Sequence, residues 1–545
     1  MENIAKRWFI CVLLVLSFGG VIAVLYAVPM RAGGAWDSVV YIGTARNLAL
    51  GNGFYLAHRL PPLAFAHWAP LYPMILAAPT FFGMDPAEAA KWVNAIAFGC
   101  IIFFTGFIAG TYCRPSYMCG FLAALAVLFS SDMIEIHSQV LSEPLFIVFV
   151  LVSIVTLLSY LECDNRKHLV GAAIAISAAL LTRYAGAFFL ISIVLIMAVD
   201  WRNLKQRPIP FTSFAFASMI VILPFSAWII HNILVNGGTV GERAVVYHPV
   251  GVDQLRSLLG TITHWFVPRG VPKYLRVFLL VGLLVVVLRT VVAALRRPRQ
   301  TLDGRFRSAL LLAETCLVFG AVYLILLFLN ISFVDALTPV DGRLLSPIFP
   351  VAALLLVSSL GLSREVFGRR SITHWIFLAT CFLMVVSNPA RFARTIQDTR
   401  INGVGFQTTF WRDDAVVGYV RSLPENAVLY SDNPTLIYYA TGRSPYELPQ
   451  KFSPNTTLAN QEFDTQMKRL AELGAKQTVL VIFSGSKYRV NPFALAELTE
   501  KCGFHPIFRS AQGTYVLTSA CHGQLGGFAA GSSSGPLNDG TSEQN

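Results

Sequence analysis

"GGAWDSVVYIGTARNLALGNGF", residues 33–54, carries one acid, Asp37, then a run rich in small and apolar residues, then a Gly-Asn-Gly turn. It follows closely on an apolar run at 8–28 that is long enough to cross the hydrocarbon core of a bilayer. Asp37 therefore stands where the chain leaves a membrane, and the rest of the sequence is ordered around that point.

Of the 545 residues, 55% are hydrophobic and 13% charged. A soluble chain carries about a quarter charged residues, so this composition belongs to a polytopic α-helical membrane protein. Eleven spans are expected. The first six lie near 8–28, 92–111, 117–131, 144–161, 169–181 and 187–200. The other five lie near 210–230, 275–290, 308–329, 347–362 and 372–388. Lys6 and Arg7 ahead of the first run suggest a signal peptide, but the run is longer than an ordinary signal core and "YAVPMRAGG" is a poor cleavage site. A retained anchor is the expectation.

Sixteen Lys and Arg residues fall in one set of mostly short loops, among them Arg114, Arg166, Lys167, Arg296, Arg297 and Arg364. The opposite connecting loops are much longer in total and hold fewer, so the first set is cytoplasmic by the positive-inside rule. The N-terminus is then inside, and an odd number of spans puts the C-terminus outside. The net charge of +12 reflects these loops and not a nucleic-acid surface, for which no zinc-type or RNA-binding signature is present. A bacterial-type inner membrane is the expected location.

The polar mass is thereby extracytoplasmic: a first loop at 29–91, a loop near 231–274, and a small α/β domain at 391–520. In that domain "NAVLYSD" reads as a strand, "NPTLIYYATGR" as a helix capped by Asp432 or Asn433, and "QTVLVIF" as a buried strand. Residues 521–545 are low-complexity and read as disordered. Cys502 and Cys521 lie in this polar region and either pair or stay free thiols.

Asp37 heads "SVVYIGTARNLAL" and can cap that helix, act as a base, or do both. The helix is amphipathic and suits the interface plane. Glu143 in "HSQVLSEPLF" opens the fourth span, with Asp132, Glu135 and His137 just before it. That group reads as solvated loop residues or as ligands for a divalent metal ion, without a diagnostic spacing. His67 lies in "FAHWAPLYP", Arg183 in "LLTRYAG" and Arg343 in "DGRLLSPIFP", each at the same end of its span. Arginines at span ends often only snorkel. Yet two acids, a histidine and two arginines on one face suit chemistry on a lipid-linked phosphate, with cations holding the phosphate and a carboxylate as base.

In order along the chain, "WDSVVYIGTARNLALGNGF", "HWAPLYPMIL", "LSEPLF", "LLTRYAG" and "GRLLSPIFP" resemble the GT-C-type membrane glycosyltransferases related to protein O-mannosyltransferases and the lipid A aminoarabinose transferase. The resemblance spans 1–390. It implies a GT-C-like membrane domain and an inverting transfer from a polyprenyl-phosphate sugar to an acceptor hydroxyl that the sequence does not identify. On it, Asp37 falls on the first-loop catalytic acid and Glu143 on the second acidic position, where relatives often carry Asp. Arg183 and Arg343 fall on donor-phosphate positions. His67 stands where aminoarabinose-type relatives have a lysine, and Tyr41, Tyr72 and His137 are candidates for the substrate cavity. No cofactor is required, though a divalent metal ion is compatible. A transporter or flippase of lipid-linked sugars is the rival class; it predicts ionisable groups at the membrane midplane.

Overall fold

The helix Glu2–Ala27 is apolar on every side, and at its contact with the helix Pro86–Tyr112 glycines let the two backbones approach. A Cβ on Gly106 would come within 2.6 Å of Leu13, and one on Gly110 would meet the Phe9 ring. Small residues drive close packing in membranes because lipid tails supply no hydrophobic force between helices. The computed structural model describes residues 2–58, 60–163, 165–199, 211–236, 238–240, 245–268, 270–297, 303–334, 340–452, 459–473, 478–483, 504–510 and 514–519.

Among these residues eight helices are long and apolar enough to cross a membrane. They are Ile4–Ala27, Pro86–Tyr112, Glu143–Cys163, Thr212–Val235, Lys273–Leu295, Gly304–Phe333, Ile348–Phe367 and Ile372–Asn402. The chain is a multi-pass membrane protein. The expected third span is a broken one, Ser116–Leu128 followed by Ser131–His137, bent by 57°. At the break Ser130 accepts from the Met133 amide and starts the second piece afresh. The expected fifth and sixth spans fall on Arg166–Thr182 and Gly186–Val199, which have 17 and 14 residues. At 1.5 Å per residue the first of these reaches about 26 Å, short of a core about 30 Å thick, and the second runs up to residues that lie outside the described ones. Against the eleven spans expected, eight helices, or nine with the broken pair, are long and apolar enough to cross among the described residues.

Beyond Asn402 the chain forms a five-stranded sheet in the order β2-β1-β3-β5-β4, with β1 Val428–Ser431, β2 Tyr446–Glu447, β3 Thr478–Phe483, β4 Phe504–Arg509 and β5 Thr514–Ser519. β1 runs parallel to β2 and β3, whereas β5 is antiparallel to β3 and β4. All six residues of β3 are buried, so "TVLVIF" shows no polar alternation. The two-residue period still sorts its side chains. Val479, Val481 and Phe483 pack with Val416 and Val420 of the helix Ala415–Ser422, while Leu480 and Ile482 pack with Leu470 of the helix Phe463–Leu473. The helix Pro434–Thr441 starts at Asn433, whose side chain accepts from the Leu436 amide. Cys502, Cys521 and the tail at 521–545 lie outside the described residues.

Candidate active site

The helix Trp36–Ala49 begins one residue before Asp37, and its cap is not the aspartate. Ser38 reaches back to accept from the Ala35 amide at 2.8 Å, which leaves the Asp37 carboxylate for long-range partners. The helix is not amphipathic either. Residues Ser38 to Ala45 are all buried, packed among Tyr72, Leu76 and Tyr438, so it has no continuous wet face. This correction has a physical cause: a segment enclosed on several sides needs no polar stripe.

Arg343 joins the two acids. Its Nη2 pairs with Asp37 Oδ2, and its Nε donates to Glu143 Oε1 at 2.5 Å. Arg183 Nη1 lies 2.8 Å from the same Glu143 oxygen and donates to Ser142 Oγ at 3.1 Å. Tyr41 shares a hydrogen bond with that hydroxyl at 3.0 Å. Four residues that are far apart in sequence thus form one ionic cluster of two carboxylates and two guanidiniums.

Local structure sets each arm. Asp341 accepts from the Arg343 and Leu344 amides, fixing the turn that presents Arg343, and the Tyr323 hydroxyl donates to the Leu344 carbonyl. Glu143 opens its helix with Pro144 next, where a missing amide hydrogen costs nothing. Arg183 ends the helix Arg166–Thr182 in extended conformation, and the following Tyr184 donates to the carbonyls of Ala66 and Trp68 at 3.0 and 3.1 Å. Trp228 in turn donates to the Tyr184 hydroxyl at 2.9 Å. The segment so held carries Trp68, whose indole N–H donates to Asp37 Oδ1 at 3.0 Å, and His67, whose ring lies 4.9 Å from that of Trp68.

Exposure separates the acids. The Asp37 side chain keeps 24% of its surface, while Glu143 keeps 1% and its Oε2 has no hydrogen-bond partner. Only Asp37 can meet an incoming molecule without rearrangement. Burial acts to raise its pKa, but the charge and hydrogen bond of Arg343, then the Trp68 indole and the Arg183 charge, hold it below the usual value. The paired carboxylates keep Arg343 well above its ordinary value against the opposing effect of burial.

The other candidates stand further back. Tyr72 is fully buried, 5.1 Å ring to ring from Tyr41, and bonds to Asn94. His137 is fully buried against Phe98 and bonds to the Met133 carbonyl. Asp132 pairs with Arg391 at 2.8 Å and accepts from Trp265. Asp132, Glu135 and His137 do not converge: among the described residues no group of three or more His, Cys, Asp or Glu is placed to hold a metal ion. Sequence reasoning passed over Trp68, Ser142, Tyr184 and Arg276, although the first three sit inside the quoted motifs. Arg276, near the start of the helix Lys273–Leu295, has Nε and Nη1 buried without a partner.

The residues beyond the last span close on the first loop. Gly34 and Gly405 form a bridge, with the Phe406 amide donating to the Gly34 carbonyl at 2.7 Å. The Tyr439 hydroxyl donates to the Ala32 carbonyl at 2.8 Å. A Cβ on Gly34 would come within 2.7 Å of the Tyr439 ring, and one on Gly405, at φ 59°, would meet the Gly34 carbonyl oxygen. The glycine pair of the opening stretch exists for this contact, three residues before Asp37.

The helices, the first loop and the C-terminal sheet together make a fold shared with solved membrane glycosyltransferases. Residues 67–228 match the family model described as dolichyl-phosphate-mannose-protein mannosyltransferase. Among solved structures the chain is similar to ArnT from Cupriavidus metallidurans in the apo state, at 14% identity and a TM-score of 0.61 over 95% of this chain and 98% of that one. The same protein bound to undecaprenyl phosphate matches at 12% identity and 0.59, over 96% and 99%. The arabinofuranosyltransferase AftD from Mycobacteria matches at 13% and 0.51, over 95% of this chain but 42% of AftD. At these identities the likeness is one of fold. No curated protein matches the chain in sequence.

The Gly34–Gly405 contact yields a paired prediction. Gly405→Ala places a side chain in the left-handed region and against a backbone oxygen, and is expected to cost about 1–3 kcal/mol. Gly418→Ala, on a helix with open space around it, is expected to be neutral or slightly stabilising. Thermal melts in detergent, with hydrogen exchange at amides 33–37, read both. Equal behaviour of the two variants contradicts the contact.

Proposed function

We propose that the protein is an inverting glycosyltransferase that moves a sugar from a polyprenyl-phosphate donor to an acceptor hydroxyl at the extracytoplasmic face of a bacterial-type inner membrane. One observation carries this reading: Asp37 and Glu143 share the Arg343 guanidinium beside Arg183, with Asp37 the solvent-accessible acid of the two. Support for the donor class comes from the fold and from ArnT solved with undecaprenyl phosphate. The orientation rests on the Lys/Arg bias of the loops.

In the proposed reaction the acceptor hydroxyl attacks the anomeric carbon in line, opposite the lipid phosphate. The new C–O bond forms as the bond from that carbon to the phosphate oxygen breaks. The hydroxyl proton passes to Asp37, and polyprenyl phosphate leaves with the bonding pair. Arg343 and Arg183 meet the charge that grows on the leaving phosphate, which strengthens their hold in the transition state. Glu143, buried between them, is a positioning residue. His67, beside the Trp68 that bonds to Asp37, is a further donor-phosphate contact in this scheme. Lipid-facing helix surfaces take the isoprenoid tail at about 0.8 kcal/mol per buried methylene. A phosphate drawing on Arg343 loosens its grip on Asp37 and makes that carboxylate more basic once donor is bound.

Two measurements test the scheme in vesicles supplied with a polyprenyl-phosphate sugar. Asp37→Asn keeps the shape and the Trp68 contact but removes the base. The expected loss in kcat is about 10²–10⁴-fold with donor binding retained; unchanged kcat in a folded variant rules out Asp37 as base. The pH profile tests the coupling. Because Arg343 lowers the Asp37 pKa, the carboxylate stays ionised at neutral pH, and rate is lost only as pH falls through the lowered value. The acid limb of kcat/KM, which reports the donor-free protein, is expected below the ordinary carboxylate value of about 4. The limb of kcat is expected at higher pH, and coincident limbs contradict release by the phosphate.

A further inference from the structure

We propose that a basic groove beside the first loop binds the headgroup phosphate of an anionic glycerophospholipid, apart from the donor site. The groove runs from Ala27 and Met30, where the first span ends, past Ser138 to the end of the helix Pro389–Asn402. Arg31, Arg400 and Arg412 line it, and its lining contains no carboxylate.

Two of these guanidiniums are already aimed. Arg31 lies 4.6 Å over the Tyr439 ring and donates to the Tyr439 carbonyl at 3.2 Å. Arg400 lies 4.2 Å over the Tyr26 ring and donates to the Tyr26 carbonyl at 2.7 Å. A guanidinium has five N–H donors, so one carbonyl apiece orients each group without neutralising it. Neither Arg31 nor Arg400 makes an ion pair among the described residues. Arg412 bonds only to its exposed chain neighbour Asp413, and the nearby Asp398 bonds to Asn402. Two held positive charges without a paired acid, and a third shared only with the exposed Asp413, suit an anion, because arginine meets phosphate oxygens through paired N–H groups.

The rim decides which anion. Tyr26, whose ring lies under Arg400, and Met30, which lines the groove, are 56% and 54% exposed, at the end of a span where the bilayer surface must lie. Exposed apolar side chains beside fixed arginines match a phosphate with acyl chains attached, not a free one. The groove also includes Gly33, whose amide donates to the Ser138 carbonyl, so an occupant braces the strand that leads to Asp37.

The test uses the full chain purified in detergent, with phosphatidylglycerol, phosphatidylcholine or soluble glycerol 3-phosphate added. Melting temperature and lipid retained per chain by native mass spectrometry are read together. Phosphatidylglycerol is expected to raise the melting temperature saturably and to be retained, with little response to the other two. R31Q/R400Q/R412Q is expected to need at least about tenfold more phosphatidylglycerol for half its effect. Should the triple variant fail to fold, R412Q alone, at an exposed position, is expected to weaken the response in the same direction. Equal responses to phosphatidylglycerol and phosphatidylcholine in the unmodified protein overturn the proposal, as does an equal response to glycerol 3-phosphate. An unchanged lipid response in the folded variants also overturns it.

Discussion

The Arg343 guanidinium, shared between Asp37 and Glu143, is the interaction on which the rest of the structure depends. Glu143 is a carboxylate with almost no water around it, and a buried charge is tolerable only where opposite charge lies close. Arg343 and Arg183 supply that charge, and they in turn tie the ends of three helices to one point. Asp37 completes the balance from the first loop while keeping a quarter of its side chain in reach of solvent. A cluster that is neutral as a whole, with one accessible carboxylate and strongly held cations, can exchange a carboxylate for a phosphate at modest electrostatic cost.

The remaining architecture holds that cluster in register. Tyr184 fastens the segment that carries Trp68, and Trp68 fixes one Asp37 oxygen while Arg343 takes the other. From the opposite side the chain after the last span grips residues 32–34 through Tyr439, Gly405 and Phe406. Asp37 thus sits on a short helix buried between the membrane bundle and the C-terminal residues. Two-sided support of this kind limits the wander of the carboxylate, as the proposed role of base requires.

Much of this was legible in the sequence. Asp37, Glu143, Arg183 and Arg343 were legible because each stands at the end of an apolar run, and the charge bias of the loops set those ends on one side. The strands in "NAVLYSD" and "QTVLVIF" and the Asn433 cap were legible because local propensity and capping chemistry decide them. Other features depend on pairings distant in sequence. Nothing local says that Trp68 reaches Asp37, that Tyr439 reaches Ala32, or that Ser38 rather than Asp37 serves the cap. Periodicity misleads at Trp36–Ala49, where contacts on several sides replace the wet face that an amphipathic reading assumes. Adjacency in sequence misleads at His137, whose acidic neighbours face elsewhere while its ring enters the core. Span counting is limited by helices such as Arg166–Thr182, largely apolar yet short for a full crossing.

The central claim, direct in-line displacement from a lipid phosphate with Asp37 taking the proton, is tested most directly by the stereochemistry of a single transfer. The purified chain in vesicles would be given a polyprenyl-phosphate sugar of known anomeric configuration with an acceptor-bearing membrane extract, and the new glycosidic linkage read by NMR. The account predicts complete inversion at the anomeric carbon. Retention of configuration, which demands a covalent sugar–protein intermediate, would contradict it.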